Sequence, residues 1–235
     1  MNPIWPLALL GGSAIFAGLI RFTDPPMRFT FASVVLLAAA ACATPTMAAG
    51  LSGMGEAIFG NSVFNFSKAN LPAAPVKTIK VGPLAVVLQQ TRLADVRKAF
   101  GGTIQQEGEG ASRADWLCYA TGGTDGPAAN VWFIANALGG FEFVMMVAAE
   151  AASKPAAGCD AAPEGFALPD FGIPGLGAST ADLKATFGAA SGSKVSYRSD
   201  RPGGYSDIAQ YIGYLLKGGK VAGIGVGETS VPTAH

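Results

Sequence analysis

Histidine is almost missing from this chain: the only one, His235, is the last residue. A frayed terminus cannot hold a general base in place, so Ser-His-Asp and Cys-His chemistry has no base to work with. Zinc sites of the usual kind lack ligands as well, because the three cysteines stand in separate segments. Charge is scarce: 14% of residues are charged, and 16 basic side chains cancel 16 acidic ones. No Lys/Arg run and no basic–aromatic interleaving occurs, which removes nucleic acid from the expected partners. The acidic pairs Glu107/Glu109 and Asp200/Asp207 sit in turn-like, Gly-rich stretches without the alternating oxygen ligands of a calcium loop. No cofactor and no metal are expected. What the chain does have is apolar bulk, 50% of its residues, together with 32 glycines that serve mainly turns and helix ends.

Two apolar stretches precede the globular part. Met27-Arg28-Phe29-Thr30-Phe31, the run Val34 to Leu37 and then Ala38 to Ala41 have the charge, core and small-residue end of a secretory signal peptide. Residues 1–26 then read as an extension ahead of the true start at Met27. Cleavage after Ala43 and cleavage after Ala48 both fit. Cys42 behind three alanines offers lipidation as an alternative, and Ile4 to Ile20 a retained anchor. An exported, periplasmic or secreted protein is expected, touching membrane only through its leader or a lipid. Removing the leader leaves Cys118 and Cys159, an even number suited to an oxidising compartment. Their disulfide would close a loop of about 40 residues and contribute roughly 3–4 kcal/mol; two separate buried thiols are the other reading.

The phrase Ala94-Asp95-Val96-Arg97-Lys98-Ala99-Phe100-Gly101 returns as Ala181-Asp182-Leu183-Lys184-Ala185-Thr186-Phe187-Gly188. A repeat of this kind points to one supersecondary unit used twice. Residues 49–76 read as a loosely structured lead-in with a Pro/Ala turn, 77–150 as unit 1, 151–165 as a linker, 166–228 as unit 2 and 229–235 as a tail. In unit 1, Leu93, Val96 and Phe100 share one helix face and Gly101-Gly102 stops the helix. Strands follow at Trp116–Tyr119 and Val131–Ile134, a hairpin turn at Gly139-Gly140, and a return over Phe141–Val147. In unit 2, Ser179-Thr180-Ala181-Asp182 predicts a capped helix start. Strands follow at Val195–Tyr197, Tyr211–Leu216 and Val221–Val226, the last two joined at Gly218-Gly219.

The run Gly175 to Gly188, followed by Tyr214-Leu215-Leu216-Lys217-Gly218-Gly219-Lys220-Val221-Ala222-Gly223-Ile224, resembles the repeat of the β-lactamase-inhibitor-protein-like (SmpA/OmlA-type) fold. That resemblance implies an α+β protein of two tandem repeats, each a short helix on an antiparallel β-meander, joined into one curved sheet. It carries over no functional residue.

Binding residues are therefore sought among the aromatics on the strands. Alternation puts Trp132 with Ile134 and Phe133 with Val131, so one of the two rings faces away from the helix. Trp132, Phe133, Tyr211 and Tyr205 are the candidate partner-binding residues, as an exposed aromatic stripe; a sheet covered on both faces is the alternative. Gly223-Ile224-Gly225-Val226-Gly227 has no helix after it, so it does not fit a dinucleotide loop. Its glycines share one strand face, which either lets another element approach or forms a shallow groove. The expected function is non-enzymatic protein binding at the envelope. The alternatives are a lipid-anchored outer-membrane assembly factor and a secreted enzyme or enzyme inhibitor whose loop would use Arg198, Asp200 and Tyr205.

Overall fold

The computed structural model describes residues 50–64, 69–122, 128–203 and 206–232. The leader at 27–48 with Cys42, the candidate Tyr205 and the terminal His235 lie outside the described residues.

Helix α2 (Leu93–Phe100) forms on its anticipated face: Leu93, Val96 and Phe100 are buried. The Asp95 carboxylate accepts the Arg92 N–H at its start, and Gly101, at φ 73°, ends it in a conformation that side chains resist. Helix α3 (Thr180–Phe187) begins with the expected box: the Ser179 hydroxyl accepts the Asp182 N–H at 3.2 Å. Asp182 in turn accepts the Ser179 N–H at 2.7 Å, and these bonds hold its carboxyl below the ordinary range.

The strands, in chain order, are β1 (Ile79–Val81), β2 (Leu84–Val86), β3 (Gln105–Glu107), β4 (Ala114–Ala120), β5 (Ala129–Asn136), β6 (Met146–Ala151), β7 (Asp160–Ala161), β8 (Lys194–Pro202), β9 (Ser206–Lys217) and β10 (Lys220–Pro232). Strands β1 and β2 pair with each other, and the remaining eight form one sheet in the order β3-β4-β5-β6-β10-β9-β8 with β7 parallel on β4. All other pairings are antiparallel, so the protein is α+β. Helix α2 precedes four antiparallel strands, β3 to β6, and α3 precedes three, β8 to β10; the last of each set, β6 and β10, pair from Gly223↔Glu150 to Gly227↔Met146. The interval 151–165, expected as a linker, contributes β7.

The face toward α2 and α3 carries Leu117, Tyr119, Val131, Phe133, Val147, Tyr197, Ile212, Tyr214, Ile224 and Val226. The opposite face carries Trp116, Cys118, Trp132, Ile134, Met146 and Ala148. Its cover is helix α1 (Gly53–Phe59), which the loosely structured lead-in turns out to contain. Met54 and Ile58 point into that face and are fully buried.

The glycines explain how α1 comes so close. A Cβ on Gly225 would stand 2.2 Å from Ile58 Cγ2, and one on Gly223 would stand 3.2 Å from Met54 Sδ. One on Gly55 of α1 would meet the Trp132 ring at 2.9 Å. The alternate glycines are thus the seat of a helix, as one of the two readings had it.

Disulfide Cys118–Cys159 ties the segment before β7 to the same face as α1. Two carboxylates hold the start of the strap: Glu107 accepts the Leu51 N–H at 2.7 Å, and Glu150 accepts the Met54 N–H at 2.8 Å. Farther along, Asn70 clasps edge strand β8. Its amide nitrogen donates to Ser196 O and its amide oxygen accepts the Arg198 N–H, while the Asn70 and Leu71 N–H groups both donate to Arg198 O.

Candidate functional site

The strand aromatics do not form an open stripe. Trp132 and Phe133 take opposite faces, as alternation requires, but they are 1% and 0% exposed. Both faces are covered there, Phe133 beneath the α2 side and Trp132 beneath α1, so neither ring can meet a partner in this fold. Tyr211 is half-buried, with its ring 5.6 Å from that of Phe64 and Arg198 5.3 Å above it. Arg198 Nε also donates to Asp200 at 2.6 Å, which engages two members of the loop considered for an enzyme. Tyr205, the third, lies outside the described residues.

The surface that does combine exposed apolar area with fixed geometry is the connection from β5 to β6. It was expected as a two-glycine hairpin turn, with a strand resuming at Phe141. The strand resumes only at Met146. Between them the Asn136 side chain caps a 3₁₀ turn, Ala137–Gly139, by accepting the Leu138 N–H at 3.1 Å. Gly140 (φ 75°) and then Phe141 (φ 63°) are both left-handed. For a bulky residue that conformation costs about 1–2 kcal/mol, so its surroundings must hold it there.

They do so by stacking. The Arg113 guanidinium sits 4.4 Å from the centre of the Phe141 ring, and Asp115 locks it with two bonds of 2.7 and 2.6 Å. The Asp115 bond also raises the pKa of Arg113, a side chain that is charged in any case. Nearby, Arg92 lies 5.3 Å from the Phe143 ring and 3.8 Å from Glu142. Backbone bonds from Leu93 N to Glu142 O and from Val144 N to Thr91 O fasten the connection to the start of α2. Arg92, Leu93, Ile104, Asp115, Phe141 and Glu142 line a cleft of about 300 Å³. Leu138, in the 3₁₀ turn of the same connection, is 64% exposed, the large apolar side chain left exposed among the described residues.

Asp115 is engaged by Arg113, and the cleft is walled by the Phe141 ring, aliphatic Leu93 and Ile104, the Arg92 guanidinium and the Glu142 carboxylate. Such a surface can bury apolar area against a complementary one and offer flat cations to it, which is how interface anchors work. Sequence reasoning missed these residues. The available signal was Arg-x-Asp, present at Arg113–Asp115 and again at Arg198–Asp200. In both places the fork sits over an aromatic ring.

A second polar cluster is closed on itself. Glu228 accepts from Gln89 Nε2 at 2.7 Å and from Gln210 Nε2 at 3.2 Å, Ser230 donates to Gln89, and Gln210 bonds both backbone groups of Val76. It pins the segment before β1 to the sheet. Among the described residues no three His, Cys, Asp or Glu side chains group as metal ligands.

Comparison of the chain with protein-family models, with curated proteins and with solved structures gives no match.

Proposed function

We propose that this protein is exported and works outside the cytoplasm as a non-enzymatic recognition module. Its contact surface for a protein partner is the knuckle of Leu138, Phe141 and the Arg113 fork. The observation that carries this reading is the exposed Leu138 in the same connection as a strained Phe141 that Arg113 and Asp115 hold in place. A fold tolerates strain of this order where a surface is being presented rather than merely connected. The buried Cys118–Cys159 bond is compatible with the oxidising location that the leader suggests.

The same reading treats the chain as two copies of one unit, in keeping with the resemblance to β-lactamase-inhibitor-protein-like repeats. Beyond the repeated helix phrase, a matching pair of tyrosines supports it. Tyr119 on β4 donates its hydroxyl to Gly101 O just after α2. Tyr197 on β8 donates to Ala189 O just after α3. Each also packs on the last aromatic residue of its helix, Phe100 or Phe187.

Photo-crosslinking from the exported protein tests the proposal. A photoreactive residue at Leu138 is expected to yield a discrete adduct with an envelope protein, and Arg113→Ala is expected to abolish it. Equal adducts from the same probe at exposed Lys184, or none at Leu138, would overturn the assignment.

A further inference from the structure

Opposite charges line one cavity of this protein without meeting. About 420 Å³ of space is bounded by Ala74, Val87 and Leu88 and by the charged residues Lys77, Arg201 and Glu228. No two of these three form an ion pair, and among the described residues none of them has an ion-pair partner elsewhere.

Glu228 is half-buried and fixed. Its carboxylate oxygens accept one bond each, from Gln89 Nε2 at 2.7 Å and from Gln210 Nε2 at 3.2 Å. Gln89 donates from a left-handed backbone (φ 63°), which its own N–H bond to Val144 O, 2.9 Å long, holds in place. Gln210 is 2% exposed and bonds both backbone groups of Val76. The amides are thus engaged with the protein, while each carboxylate oxygen keeps acceptor capacity. A carboxylate steadied by neutral donors, with its charge unbalanced, is a preset acceptor for a cationic group.

The sheet sets the spacing of the charges. Glu228 on β10, Gln210 on β9 and Ser199 on β8 form one row, and Arg201 follows Ser199 on the same face. Strands lie about 4.8 Å apart and residues advance about 3.3 Å, so the Cα atoms of Glu228 and Arg201 are separated by about 12 Å.

We propose that this cavity binds a free apolar dipeptide, with its ammonium on Glu228, its carboxylate toward Arg201 and Lys77, and its middle against Ala74, Val87 and Leu88. The ends of an extended dipeptide stand at most about 7 Å apart, and the long glutamate and arginine side chains make up the remaining distance. A single amino acid carries both charges on one carbon and reaches only one side of the cavity. The volume falls within the roughly 300–1,000 Å³ of small-molecule sites. The cavity shares no lining residue with the cleft at Phe141, so this assignment and the protein-contact surface stand or fall separately.

Calorimetric titration of the full-length protein with valyl-valine tests this. Saturable binding is expected, and the N-acetylated and the C-amidated dipeptide are each expected to bind about ten-fold more weakly or worse. Valine alone is expected to lose a similar factor. Lys77→Gln combined with Arg201→Gln, both at exposed positions, is expected to erase the preference for acid over amide while the preference for free over acetylated amine persists. Glu228→Gln is expected to do the reverse. Should that variant not fold, the acetylated dipeptide still reports on the same contact in the unaltered protein. Absence of saturation up to about 1 mM overturns the proposal. So does equal binding of free and acetylated dipeptide, valine binding as tightly as the dipeptide, or an acid preference that survives the loss of both cations.

Discussion

The half of the sheet that follows α2 differs from the half that follows α3 in what lies behind it. Every residue of β4 and β5 is buried, whereas β8 alternates buried and accessible residues and ends in an exposed stretch. The helix side is handled alike in both halves, with an aromatic at the helix end packed on a strand tyrosine. The back is not. Behind β4 and β5 lie α1 and the disulfide-tethered segment around Cys159, while β8 and β9 have Ser62 to Phe64 and the Asn70 clasp. A strand covered on both faces reads as a continuous apolar run, and one covered on a single face alternates. The two halves of the sheet therefore differ in how their sequences alternate.

The largest effect that sharpens this contrast is expected at Trp132. Trp132→Ala, beneath α1, is expected to cost about 3–5 kcal/mol in urea unfolding, against about 1 kcal/mol for Tyr211→Ala on the thinly covered side. Equal losses would mean that the backs of the two halves are equivalent after all. Next comes the seat of α1. Gly225→Ala is expected to cost about 1–3 kcal/mol by forcing Ile58 away, and distinctly less in an Ile58→Leu background, which lacks the opposing Cγ2 methyl. A double-mutant cycle without coupling would remove the glycines from the account.

The smallest effects probe what the halves share. Tyr119→Phe and Tyr197→Phe are each expected to cost about 1 kcal/mol at neutral pH by leaving a carbonyl without its donor. They should separate in alkali. Burial, assisted by the charge of Asp160, pushes the Tyr119 phenol up to about 12, and burial raises Tyr197 as well. Because the unfolded phenol titrates near pH 10, the fold binds the proton more tightly there. The corresponding stability is complete below pH 10 and is lost as pH climbs from 10 through 12. Tyr119→Phe is expected to flatten that fall more than Tyr197→Phe, as followed by denaturant midpoints across the range.

The two eight-residue helices were legible because each carries local marks: the apolar face Leu93, Val96 and Phe100 before Gly101 in one, and the Ser179–Asp182 box before Gly188 in the other. Helix α1 was not. It is short, holds two glycines and has no side-chain cap, so its helicity depends on Glu150 and on burial of Met54 and Ile58 against strands distant in sequence. The alternation of Trp132 and Phe133 was legible, while the burial of Trp132 depends on that same unseen helix. At the candidate site the obstacle was local. Gly139-Gly140 followed by Phe141-Glu142-Phe143 has the composition of a turn and a strand, and only the stack of Arg113 on Phe141 accounts for an aromatic in the left-handed region.

Asn70 carries a consequence for how this protein behaves in a crowded compartment. A bare outermost strand offers its N–H and C=O groups to any other extended chain, and sheets grow into aggregates by that route. Here one carboxamide, with the backbone beside it, occupies the positions at Ser196 and Arg198 that an incoming strand would need. A single side chain thus acts as a stopper on sheet growth, guarding solubility at the end of the sheet where the burial is thinnest.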